Sequence, residues 1–179
     1  MSEPRPRNPF WPRYTSRPFP PYRFVPGRTP HPHRDRRSHS YGLPESTPAL
    51  CPPDRWYQAH DYLYGIDLYN FAYWWECHEI FEALWKTAGR GSAEGNFFQA
   101  LIQLAAAHLK RFTGNRDAAG VLVRNCVARL ERTPEHYMGV DVTGLIAALH
   151  PHLTDGGMPE PLILLTVPER REDDLRIIR

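Results

Sequence analysis

The sequence predicts an all-α protein: a compact bundle of about five helices around a central apolar helix at 94–113, preceded by a disordered Pro/Arg-rich arm. Three observations carry that expectation. From Asp54 to about residue 150, apolar residues recur at spacings of three and four. No β-pattern competes with them. Residues 1–53 hold 14 of the 19 prolines and show neither period, so they cannot bury enough surface to offset chain entropy. The expected organisation is an arm at 1–53, a helical bundle domain at 54–153, and a C-terminal extended segment with a charged tail at 154–179.

The formal net charge of +2 hides an uneven split. The arm carries nine arginines against three acidic residues, whereas the remainder carries 13 basic and 17 acidic residues. The three cysteines, Cys51, Cys77 and Cys126, form no C-x-x-C pair, which argues against a disulfide framework or a four-cysteine zinc site. No apolar run approaches the ~18–20 residues of a transmembrane helix, and the N-terminus lacks the apolar core of a secretory signal. A cytoplasmic protein without a membrane partner is expected.

A first helix begins near Asp54, its N-cap after Pro52-Pro53, and stops at Asn70, a residue that tolerates a left-handed stop. A second spans about 73–88 and ends at "GRG", Gly89 to Gly91. The third, about 94–113, is apolar on nearly all sides and is kept slim by Ala100, Ala105, Ala106 and Ala107, which suits a central position. Gly114 ends it, and Asn115 caps a fourth helix at about 116–132. Pro134 follows as a breaker. Asp141 caps a short fifth helix limited by Pro151. "PLILL", Pro161 to Leu165, is apolar enough to lie on the bundle as an extended strap, with a mobile tail beyond it.

The densest chemistry is "WWECHEIFEALW", Trp74 to Trp85. At 100° per residue, Tyr73, Cys77, Ile80, Phe81 and Leu84 gather on a core face. His78, Glu82 and Trp85 share another, within ~60° of one another, beside Trp75 and Glu79. Glu76 lies at the opposite border of the core face. A solvated polar face is the simpler reading, but exposing two tryptophans costs roughly 1.5–3 kcal/mol each. Another helix, a partner chain or a ligand should therefore cover this face.

On helix three, Gln99 and Gln103 are i,i+4 neighbours whose amides can serve both carboxylate and imidazole. His108 sits within the apolar stripe, as a core residue or as a ligand. The site expected is a polar pocket between helices two and three. Its candidate catalytic residues are Glu79, Glu82 and His78; its candidate ligand-binding residues are Trp75, Trp85, Glu76, Gln99, Gln103, His108 and Asn115. It would bind a ligand or carry hydrolytic acid–base chemistry.

"HEIFE" approaches the zinc-protease pattern, but Glu82 stands where the second histidine belongs, so no metal and no cofactor is expected. Two alternatives belong to other classes. The aromatic-rimmed face could dock a partner or a second copy of the chain. The arm interleaves arginines with Phe10, Trp11, Tyr14, Phe19, Tyr22, Phe24 and Tyr41, the chemistry of phosphate contact and base stacking, which makes nucleic acid a candidate partner of the arm.

Three stretches, "YNFAYWWECHEIFEALW", "FFQALIQLAAAHLKRFTGN" and "GVDVTGLIAAL", together resemble the helical family known as domain of unknown function 309. The resemblance covers about residues 56–153. It rests on Asn70, Glu76, His78, Glu79, Glu82 and Trp85, then Gln99, Leu101, Ile102, Gln103, His108 and Asn115. Ala72 and Ala100 stand where the family carries glycines, and Ala72 makes a left-handed turn there less comfortable. The resemblance implies an all-α, cytoplasmic bundle with no assigned activity.

Overall fold

The computed structural model describes residues 3–43, 47–49, 51–89, 91–154 and 161–166. The chain folds as a compact helical bundle. Helices α1 (His60–Asn70), α2 (Trp74–Ala88), α3 (Ala93–Phe112), α4 (Arg116–Leu130) and α5 (Val142–Thr154) follow a short 3-10 segment, Pro53–Gln58. Helix α3 packs against α2 on one side and α4 on the other, and α5 packs on α4. Phe97, Leu101, Leu104, Ala100 and Ala105 on α3 have no exposed surface, as a central helix requires.

The first helix is shorter than its pattern. Ala59 (φ −81°, ψ 84°) breaks the chain between the 3-10 segment and α1, and Asp54 makes no capping hydrogen bond. The break lets Trp56 and Tyr62 both bury and meet edge to face, with ring centroids 6.4 Å apart.

Asn70 does end α1, but it is not the left-handed residue. Ala72 is, at φ 63°. The Tyr73 N–H donates to the Leu68 carbonyl (2.8 Å) and the Ala72 N–H to that of Tyr69 (3.1 Å), a Schellman stop. Asn70 instead uses its buried amide to accept from the Ile163 N–H and donate to the Ile163 carbonyl, both at 2.8 Å. That clamp holds residues 161–166 extended on the bundle, with Ile163 and Leu165 buried.

Ser92 caps α3 by accepting from the Gly95 N–H at 2.9 Å, and Asn115 caps α4 by accepting from the Ala118 N–H at 3.1 Å. Pro151 does not stop the last helix; α5 continues to Thr154. A proline close to a helix end forfeits only its own N–H bond to the preceding turn.

A small hairpin escapes the sequence pattern: β1 (His136–Tyr137) and β2 (Val140–Asp141) pair antiparallel. Two-residue strands are too short to show a period of two. The loop between them is Met138 (φ 47°) and Gly139 (φ 79°), a pair of left-handed residues that suits a two-residue hairpin turn. A Cβ on Gly139 would stand 2.4 Å from Cζ2 of Trp56. Gly139→Ala therefore meets both a left-handed backbone and a filled core, and should lower stability by about 3 kcal/mol. Urea denaturation checks this, and a loss below about 1 kcal/mol would be incompatible with that packing.

The arm differs most from expectation. Residues 3–43 contain no helix or strand, yet they are laid across α1 and α2 rather than disordered. Val25 is fully buried and Phe24 nearly so. Composition alone misjudged the arm because it borrows its core from the helices it covers. Residues 167–179, the expected charged tail, lie outside the described residues.

Candidate functional site

At Trp75 and Glu79 the face bordered by the tryptophans is covered, and the cover is the chain's own arm. The Trp75 ring meets Phe24 (centroids 4.9 Å, 71° between planes) and His31 (5.5 Å), and stacks on His78 (5.6 Å, 26°). One turn away, the His33 Nε2 lies 2.8 Å from the Glu79 carboxylate, and both side chains are about one-third exposed. Glu82 pairs with Lys86 at 3.3 Å, on the outer surface of α2.

Glu76 is the exception among these carboxyls. It is only 7% exposed. Its Oε1 accepts the Phe24 backbone N–H at 2.8 Å, while Oε2 has no hydrogen-bond partner. Burial pushes its pKa up to about 7, with the Phe24 N–H opposing the rise. A buried carboxyl oxygen without a partner is costly in a fold that satisfies most of its polar groups.

Glu76 lines a cleft of about 610 Å³ where the arm, α1 and α2 meet. Apolar walls come from Phe19, Tyr64, Leu68 and Ile80. Four carboxylates, Asp61, Glu76, Glu79 and Glu82, face two permanent cations, Arg17 and Lys86, among the described lining residues. Arg17 is already held by Asp61 at 3.2 Å.

Among the described residues, the candidates do not gather in one pocket between helices two and three. Of the candidates, Glu76, Glu79 and Glu82 line the cleft, on the flank of α2 that faces α1 and the arm. His78, Trp75, Trp85, Gln99 and Gln103 do not. His78 is half-buried, its pKa lowered by burial and pulled back up by Glu82 and Glu79, and its Nδ1 has no partner. No hydrogen bond joins it to Gln99 or Gln103, and the Gln103 Oε1 is likewise without a partner. About 160° of helix rotation separates Glu76 from His78, and the His78 ring stacks on Trp75 instead.

His108 is a core residue. Its Nε2 is 2.8 Å from the Tyr69 hydroxyl, which donates onward to the Pro161 carbonyl at 2.9 Å; its ring lies against Trp74, centroids 5.3 Å apart. Asn115 is a helix cap and does not line the cleft.

Sequence reasoning missed the arm's part in the site, and Asp67 with it. This carboxylate on α1 is 1% exposed. It accepts the backbone N–H groups of Tyr14 (2.8 Å) and Thr15 (2.9 Å) and the Thr15 hydroxyl (2.7 Å). An acidic residue within an apolar helical period was the available signal. The arginine–aromatic interleaving was a second signal, with another meaning: Arg17 stacks on Tyr64 (4.3 Å) and Arg23 on Tyr73 (4.2 Å). Much of the stacking chemistry ascribed to nucleic acid is thus spent within the molecule, although Phe10 remains 91% exposed.

Fold and site together define an all-helical domain with a carboxylate-lined cleft roofed by its own N-terminal segment. Residues 62–122, from α1 into α4, match the family model described as "Domain of unknown function (DUF309)". The arm, the hairpin and α5 lie outside the matched stretch. No curated protein matches the chain. Among the described residues, no helix is long and apolar enough to cross a membrane.

Proposed function

We propose that this protein is a ligand-binding domain whose site is the cleft between the arm, α1 and α2, with Glu76 as its polar anchor. The observation that carries the reading is the Glu76 Oε2, which has no partner on a buried carboxyl lining the cleft. Such a group is served by a donor on a ligand. The excess of carboxylates over cations favours a small amphiphilic cation, an aromatic or aliphatic amine or guanidine. A carboxyl titrating near neutrality also suits proton exchange with that ligand, so Glu76 takes the acid–base role in place of Glu79, Glu82 and His78. A cytoplasmic setting agrees with Cys51, Cys77 and Cys126 all being free.

Benzylamine and benzyl alcohol, equal in shape and different in charge, test the reading. Benzylamine should raise the melting temperature and shift the Ile80 and Leu68 methyl resonances of the native protein, and benzyl alcohol should do so far less. Both effects should vanish in Glu76→Gln. Equal responses to the two compounds, or an undiminished benzylamine response in the variant, would remove the support for this site.

A further inference from the structure

The arm is held the way a ligand is held. Among the described residues, no backbone–backbone hydrogen bond joins residues 3–43 to the helical body. The body instead reads the arm's backbone with side chains. Asp67 takes two successive N–H groups, and Glu76 takes that of Phe24. The Tyr64 hydroxyl donates to the Pro18 carbonyl at 2.9 Å and the Tyr73 hydroxyl to that of Pro20 at 3.2 Å.

Between these points the Phe19 ring packs on Phe71 and Tyr73, each with centroids 4.9 Å apart. Aromatic rings with hydroxyls directed at proline carbonyls are the chemistry by which grooves bind extended proline-rich segments. The charges agree: Arg17 meets Asp61, and Arg13 lies 3.7 Å from Asp67.

We infer that the α1–α2 face is a peptide-binding groove, occupied in cis by residues 13–25, whose partner is an extended proline-, arginine- and aromatic-containing segment of another protein. The contacts address main-chain groups, proline carbonyls and stacked arginines, so a foreign segment of that composition satisfies them equally. The tethered arm competes through its high local concentration, and a partner enters when the arm lifts. This inference concerns the surface beneath the arm; it shares Asp61, Tyr64 and Glu76 with the cleft but does not require a small ligand there.

A fluorescein-labelled peptide of residues 11–33, titrated into the full chain and followed by anisotropy, tests it. The native chain should bind weakly. The full-chain variant Arg13→Ala/Phe19→Ala, with a weakened arm and an intact groove, should bind about tenfold more tightly. Arg17→Ala, which removes only a half-exposed contact, should fall between them. A peptide with Arg13, Arg17 and Arg23 replaced by Glu should bind none of the three. Far-UV circular dichroism establishes that each variant is folded; Arg17→Ala carries the test if the double variant is not. Affinity that stays unchanged when the arm is weakened, or equal binding of the Glu-substituted peptide, would overturn the inference. So would a stable dimer of the native chain that the peptide fails to dissociate, which would assign the groove to a second copy.

Discussion

Glu76→Gln should stabilise the protein at pH 8, by about 3 kcal/mol, and leave it unchanged at pH 4.5. The carboxyl titrates at about 7 in the folded protein against 4.5 ordinarily. Between those values the folded state holds a proton that the unfolded state has lost. The stability associated with the neutral carboxyl is therefore fully present below about pH 4.5 and is lost as pH rises through 7. Above that, the native protein carries a buried anion with one oxygen unpartnered. Glutamine has the shape of the neutral acid, can still accept the Phe24 N–H, and never ionises. The quantity to measure is the difference between native and variant in urea denaturation at pH 4.5, 6 and 8, because other titrating groups cancel in it. A difference that stays flat with pH would mean that Glu76 is ordinarily solvated, and the ligand-binding reading would lose its anchor.

Asp67→Ala should detach the arm. The change removes three hydrogen bonds to a buried carboxylate, each worth about 1.5–3 kcal/mol when made to a charged group. The Tyr14 and Thr15 N–H groups would be stranded in a dry site, and lifting away to water is their cheaper course. The loss is thus capped by the docking energy of the arm, and we expect about 3 kcal/mol of it to go. Cleavage that follows the equilibrium population of the open form should then quicken roughly a hundredfold. Limited trypsin digestion reads this directly at Arg13 and Arg23, with far-UV circular dichroism establishing that the helices persist. Cleavage at the native rate would show that the aromatic contacts alone hold the arm.

The fold was readable because its determinants are local. Helices two, three and four follow from apolar spacing, from the stops at Gly89 and Gly114 and from the cap at Asn115, and the structure places their ends within two residues of expectation. The hairpin was not readable, because its strands have two residues each and its turn uses Met138-Gly139 rather than a typical turn pair. Pro151 was read as a stop because local rules price one lost hydrogen bond, not the helix around it.

The site was readable in part. Helical periodicity marked α2 as the chemical helix and required a cover over Trp75. It grouped His78 with Glu82 correctly as neighbours on the wheel, but it could not say which flank each neighbouring element would take. Glu76, ranked among the secondary candidates, became the principal one when the Phe24 N–H closed over one oxygen and left the other without a partner.

The sequence by itself determined helices two to four, the Asn115 cap and the central place of α3, because those depend on residues three or four apart. Only the tertiary structure decided what lies on the tryptophan-bordered face. The contacts that seat the arm join residues about fifty apart, such as Tyr14 to Asp67 and Phe24 to Glu76. They run from main-chain N–H groups to carboxylates, and a main-chain N–H is the same for nearly every residue type. The sequence therefore carries no mark of the partner, and the arm's place is fixed only when the helices present Asp67 and Glu76 along one groove.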